Sequence, residues 1–283
     1  MSALAKRVIT AVAMLAFVFA AIFALPTRGF ALVLLLVVAI ASLEWAKLAG
    51  FAAGLRLAYA AAVAAIALAM LFAPAFGFAG EWPPLLVFTI CGAATVFWLV
   101  IAPCWVVARW PMLPRAAMAA IGGLLLVAFW MALVVLHARS PATLVAAMAL
   151  VWIADTAAFF AGRRFGRHKL APQVSPGKTW EGVAGALAGV ALYAVACAWL
   201  GQPAPDTSPA SSRLAMITGW VAVALVLAAM SIVGDLFESW MKRGAGVKDS
   251  GTLLPGHGGV LDRIDALLAA MPATALAVHE WTR

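Results

Sequence analysis

Apolar runs of roughly 18 residues or more recur along most of this chain, and each is long enough to cross a bilayer as a helix. Backbone in hydrocarbon must satisfy its own N–H and C=O groups, which leaves helices or a closed barrel. A barrel would show short segments of alternating polarity, and these runs do not alternate. The expected fold class is therefore all-α, a polytopic transmembrane helical bundle of eight or nine helices. Candidate spans lie at roughly 8–25, 29–50, 55–76, 84–102, 116–137, 141–161, 181–201, 213–235 and 262–281. Pro26, Pro83, Pro84, Pro114, Pro141 and Pro172 fall at or between span ends, where helices break. The last span opens on Asp262, Arg263 and Asp265, so eight and nine helices both stand.

Composition excludes a soluble domain. Of 283 residues, 66% are hydrophobic and 11% charged, against about 45–50% and 25% in soluble domains. Lys6 and Arg7 precede the first apolar run, which is longer than a signal-peptide core and reads as a retained first span. With the N-terminus in the cytoplasm, 15 of the 19 Lys and Arg residues lie inside. Only Arg28, Arg139, Arg213 and, for nine spans, Arg283 lie outside. The expected location is the cell inner (cytoplasmic) membrane. The net charge of +8 then belongs to loops facing anionic membrane lipids, and no nucleic acid is called for. Cys91, Cys104 and Cys197 have no metal or disulfide spacing and read as packing residues. Trp45, Trp82, Trp180, Trp199, Trp240 and Trp281 sit near span ends and read as interfacial anchors. The segment QPAPDTSPASS, 202–212, reads as a polar outer loop without chemistry. No internal repeat stands out, which weakens a transporter reading.

Acidic residues divide the chain. Residues 1–140 hold only Glu44 and Glu81 and read as N-terminal scaffold helices; the other nine acids lie in 141–283, read as the catalytic membrane domain. Three constellations stand out there. WIADTAAFFAGRRFGRHKL, Trp152–Leu170, places Asp155 inside an apolar helix, where an ionisable group is a functional candidate by default. The basic run after it fits topology or phosphate binding equally well. SPGKTWEG, Ser175–Gly182, has the Gly-Lys-Thr end of a phosphate loop, but Pro172 stands where that loop needs glycine. Ser175, Lys178 and Thr179 still precede a helix N-terminus, which favours anions. In the third, Asp235 and Glu238 share a helix face, as do Asp262 and Asp265. Between them run Lys242, Arg243, Lys248, Asp249, His257, Arg263 and six glycines from Gly244 to Gly259. Carboxylates beside basic residues and flexible backbone suit a metal–phosphate site, with ion pairing as the plainer alternative.

These residues carry a family resemblance. The run from Ser239 to Asp265, with Ser239, Lys242, Arg243, Lys248, Asp249, His257, Gly258, Gly259, Asp262, Arg263 and Asp265 at its fixed positions, resembles the signature of phosphatidate cytidylyltransferases, the CDP-diacylglycerol synthases. SPGKTWEG and the Asp155 region are similar to that family too, although Ala157 and Phe159 stand where it often has Gly and Tyr. The motifs cover about residues 150–265. The resemblance implies that CTP and phosphatidate give CDP-diacylglycerol and pyrophosphate, with Mg²⁺ (one or two ions) on Asp235 and Asp262. It also implies an intramembrane homodimer. On this reading Ser175, Lys178 and Thr179 bind nucleotide phosphates, and Lys242, Arg243, Lys248 and Arg263 orient the lipid head group and pyrophosphate. Asp249 and Asp265 position those bases or complete the metal shell. The nucleophile is already an ionised phosphate oxygen, so His257 serves as a hydrogen-bond partner rather than a base. The motif reads phosphate chemistry and not the tail, so a CTP-dependent transferase for another lipid phosphate stays open. A secondary transporter would explain Asp155 but not the clustering of charge.

Overall fold

The structure, a computed structural model, describes residues 3–76, 78, 81–200, 210–253 and 258–281. His257 and most of the 202–212 segment lie outside these, as do Arg283 and the side chains of Lys6, Arg7, Arg213 and Trp281. The helices are α1 (Ala3–Ala24), α2 (Thr27–Leu48), α3 (Ala53–Phe72), α4 (Pro84–Val96), α5 (Ala102–Ala108), α6 (Arg115–Arg139), α7 (Pro141–Phe165), α8 (Trp180–Leu200), α9 (Ala210–Gly244) and α10 (Leu261–Trp281). A π turn at Phe97–Ile101 joins α4 to α5. It precedes Pro103, whose missing N–H and bulky ring disturb a regular helix one turn back. The two halves make one rod, Pro84–Ala108, so nine long helices are present among the described residues. Seven are long and apolar enough to span a membrane; α10, with its charged first turn, is not among them.

Local chemistry sets the helix starts. Pro84 and Pro141 occupy the first helical turns of α4 and α7, where the missing N–H costs nothing. Ser140 caps α7 by accepting from the Thr143 N–H at 2.9 Å. The centre of the bundle is α6, whose residues from Leu125 to Val134 are all buried. It packs against α2, α4, α7 and α10. The C-terminal helix α10 in turn packs on α9, α6, α4 and α7 and touches α2, so it sits among helices of both halves.

Three of the expected tryptophan anchors face protein instead of the interface. Trp45, Trp82 and Trp240 are buried. Trp45 Nε1 donates to the Met118 carbonyl at 2.9 Å, and Trp82 Nε1 to the Met70 carbonyl at 2.8 Å. An indole N–H satisfied inside a bundle has no need of the interface. Trp180 and Trp199 are exposed, as an anchor requires.

An antiparallel hairpin, β1 (Lys169–Ala171) and β2 (Ser175–Thr179), links α7 to α8. The Trp180 N–H donates to the His168 carbonyl at 2.9 Å and closes its base. Sequence periodicity gave no hint of it, because strands this short carry little pattern. Connectivity puts the hairpin at the same end of the bundle as the α2–α3, α5–α6 and α9–α10 connections.

Candidate functional site

The hairpin is the first part of the site. Thr179 is buried, and its Oγ1 accepts from the Gly182 N–H at 3.1 Å, which caps α8. Around it Gly162, Gly166 and Gly182 lack the Cβ that would meet its side chain. The Thr179 hydroxyl thus lies at the α7–α8 junction and starts the helix, with its own hydrogen still free to donate. The same close approach continues along the two helices. A Cβ on Gly189 would lie 2.9 Å from that of Ala157, so these small residues let the backbones meet. Glu181, in the first turn of α8, receives His168 Nδ1 at 2.7 Å and the His168 N–H at 3.2 Å, fixing the hairpin to the helix. Lys178 projects the other way. Its Nζ lies 2.6 Å from Asp235 Oδ2 on α9, while Gly177 has open space around it.

The second part is the end of α9. Phe237 is fully buried among Trp45, Phe97, Trp98, Trp105 and Trp240, its ring centroid 5.4–6.4 Å from each of theirs. That anchor fixes the rotation of α9. Asp235, Glu238, Ser239 and Lys242 then fall where neighbouring elements meet them, at i, i+3, i+4 and i+7. Ser239 Oγ donates to Asp235 Oδ1 at 3.3 Å. Lys242 Nζ bridges two carboxylates, Glu238 Oε2 at 2.7 Å and Asp262 Oδ1 at 2.6 Å. Asp155 and Asp265 both lie close enough to feel the charges of Asp235 and Lys178. Five carboxylates and two lysines from α7, β2, α9 and α10 thus share one end of the bundle.

The segment after α9 supplies the third part. Asp262 Oδ2 accepts from the Gly259 N–H at 2.7 Å and the Ser250 N–H at 3.0 Å, and the Ser250 hydroxyl, whose one hydrogen it shares with Glu44, lies 3.0 Å away. Arg243 reaches the Val174 carbonyl in the hairpin turn and the Val247 carbonyl, each at 3.4 Å. Lys248, Asp249 and Arg263 are exposed at the same end, without a side-chain ion pair among the described residues. Ser175 is half-buried at the start of β2. The glycines have a local reason. Gly258 has φ +81, and a Cβ there would crowd Asp262 Oδ2 at 2.7 Å. At Gly251 and Gly259 a Cβ would strike Glu44. Gly258, Gly251 and Gly259 make room for carboxylates, whereas Gly246 and Gly177 leave open space.

Glu238 and Glu44 were not singled out as site residues by sequence. Glu238 shows itself only through the i, i+3 spacing with Asp235. Glu44 is an acid within an apolar span, and that signal was available.

A divalent ion fits this donor set by one route. Among the described residues no three of His, Cys, Asp and Glu are grouped to hold one. Mg²⁺ needs only one or two carboxylates when phosphates complete its shell. Asp235 and Asp262 each carry a lysine ammonium at 2.6 Å, so each already holds a cation on one oxygen. Asp235 is the accessible one, 34% exposed against 5% for Asp262. Asp262 also spends its second oxygen on Ser250 and Gly259.

Farther along the same helices is an apolar cavity of about 570 Å³, lined by Leu150, Tyr193, Cys197, Trp220, Leu227 and Thr274 among others. Leu227 precedes Asp235 by roughly 12 Å of helix rise. The four helices α7 to α10 therefore present a charged end and, toward their other end, an apolar cavity.

The cytidylyltransferase family model matches residues 5–281. A phosphatidate cytidylyltransferase of Pseudomonas aeruginosa is 40% identical over 275 residues, 96% of this chain and 96% of the relative. Phosphatidate cytidylyltransferases of Haemophilus influenzae and Thermotoga maritima are 50% and 42% identical over 123 residues, 44% of this chain and 41% and 44% of theirs. A match over almost the whole chain, signature and scaffold alike, places the protein in the cytidylyltransferase family.

Proposed function

We propose that this membrane protein transfers the cytidylyl group of CTP to phosphatidate, giving CDP-diacylglycerol and pyrophosphate. The carrying observation is the Lys178–Asp235 pair. It joins the hairpin to α9 at the charged end of four helices that line an apolar cavity toward their other end. One substrate is a polyanion and the other a polyanion with tails, and this end offers charge above and hydrocarbon below.

The chemistry needs little from a general base, since a phosphate oxygen of the lipid is already ionised. Attack on the α-phosphorus of CTP forms the new P–O bond and releases pyrophosphate. Two anions must be brought together and charge on the leaving group neutralised. Lys178 and Ser175 receive nucleotide phosphates. Arg243, Lys248 and Arg263 face the lipid head group and the pyrophosphate. Asp235 would hold Mg²⁺, with Asp262 as the second carboxylate, and Lys242, which lies on Asp262 Oδ1, would be a further cation for phosphate. When bound, the ion neutralises phosphate charge. Asp249 and Asp265 position the basic groups or complete the metal shell, His257 is a hydrogen-bond partner for phosphate or carboxylate, and Asp155 belongs with the substrate-binding residues. The site faces the cytoplasm of the inner membrane, a reading supported by the distribution of Lys and Arg and by the location of CTP. A homodimer is read from the family resemblance.

Purified protein in detergent should convert CTP and phosphatidate to CDP-diacylglycerol only with a divalent ion present. Turnover of isoprenoid or ether-lipid phosphates in preference to phosphatidate would reassign the lipid. Transport without CTP turnover would discard the reaction.

A further inference from the structure

The scaffold half reaches into the site through α2. Glu44 is 7% exposed and lies one turn from the end of that helix. Its Oε2 accepts from Ser250 Oγ at 3.0 Å and the Leu261 N–H at 2.7 Å, and its Oε1 from the Val260 N–H at 3.1 Å. Lys47, one turn on, donates from Nζ to the Ser250 carbonyl at 3.1 Å. Ser250 is fully buried, and its hydroxyl also meets Asp262 Oδ2.

We infer that Glu44, seconded by Lys47, is a positioning residue for Asp262 and its loop. Three observations carry this. The carboxylate meets the first amides of α10, where the helix dipole favours negative charge. It holds Ser250, which shares its hydroxyl with Asp262, so α2 and α10 are joined by an unbroken chain of polar contacts. And Gly251 and Gly259 are bare where a Cβ would strike Glu44, so two glycines of the loop are shaped around this residue. The chain runs on through Asp262 to Lys242 and Glu238. A helix of the apolar scaffold thereby sets the geometry of the lysine and carboxylate that serve the reaction. No atom of Glu44 need touch substrate. This role rests on the proposed reaction only for its kinetic consequence.

The test uses the full chain in detergent. Hydrogen exchange of Glu44→Gln should rise several-fold in peptides covering Ser250 and Val260–Leu261, and stay unchanged in α6. A glutamine has one acceptor oxygen for donors that now use two. Turnover should fall on the order of 10-fold, the size seen when supporting hydrogen bonds are lost, with the KM for CTP little changed. In an Asp262→Asn background, adding Glu44→Gln should cost less than twofold further, because both act through one carboxylate. Full multiplication of the two losses, or unchanged exchange at the loop, overturns the inference. If Glu44→Gln does not fold, Lys47→Met removes a single contact, and its loop exchange must rise in the same peptides; no rise is likewise fatal. Wild-type protein that makes no CDP-diacylglycerol would sink the proposed reaction while leaving the exchange result to decide the role of Glu44.

Discussion

The site contains two lysine–carboxylate clusters that look alike in sequence and differ in burial. Lys178 and Asp235 are 22% and 34% exposed. Lys242 and its partners Glu238 and Asp262 are 12%, 4% and 5% exposed. The contact distances are nearly equal, so distance does not separate them. Water does. An accessible pair gains little net energy and exchanges partners easily. In a buried cluster each ion depends on the others, because none can turn to solvent. The outer pair is thus suited to meet substrate, and the inner one to hold α9, α10 and the loop together while they do.

The largest effect that would sharpen this contrast comes from Lys242→Met. It leaves Glu238 and Asp262 buried near one another without their cation, so stability should fall by about 3–5 kcal/mol, and turnover with it. Thermal unfolding in detergent reads this, and an unchanged melt would erase the distinction between the clusters. Next is Asp235→Asn. Turnover should drop about 100-fold or more, the scale on which charge-stabilising groups act, with the divalent-ion requirement shifted to higher concentration. Its melt should stay near wild type; near-normal turnover would remove Asp235 as the metal carboxylate. Lys178→Ala follows, with a raised KM for CTP and a stability change of only about 0–1 kcal/mol. An unchanged KM would assign Lys178 to structure. The smallest effect belongs to Glu181→Gln, which loosens the hairpin from α8 at an exposed His168. It should lower turnover less than Lys178→Ala and leave the melt in place, and a larger loss would make hairpin position a determinant equal to its charge.

Much of this molecule is legible in the sequence. Nine hydrophobic runs appear as nine long helices, and Pro84 and Pro141 mark true starts. The motif around Lys178 and the one beginning at Asp235 meet in space, although 56 residues separate the two side chains. Other features were not readable. The hairpin is too short to show a period. Thr179 carries the residue type of a phosphate binder, yet its hydroxyl caps a helix. The buried Trp45 and Trp240 sit near helix ends, as anchors do, but surround Phe237.

Hydropathy by itself determined that the chain spans a membrane as helices, because unpaired backbone cannot persist in hydrocarbon. Residue spacing determined which carboxylates share a face of α9, because a helix fixes that geometry locally. Only the tertiary structure decided which cation each carboxylate holds, which of those pairs water reaches, and that Glu44 on α2 supports Asp262 on α10. Those outcomes depend on how separate helices are rotated and packed, and no local spacing records the contact between residues more than 200 positions apart.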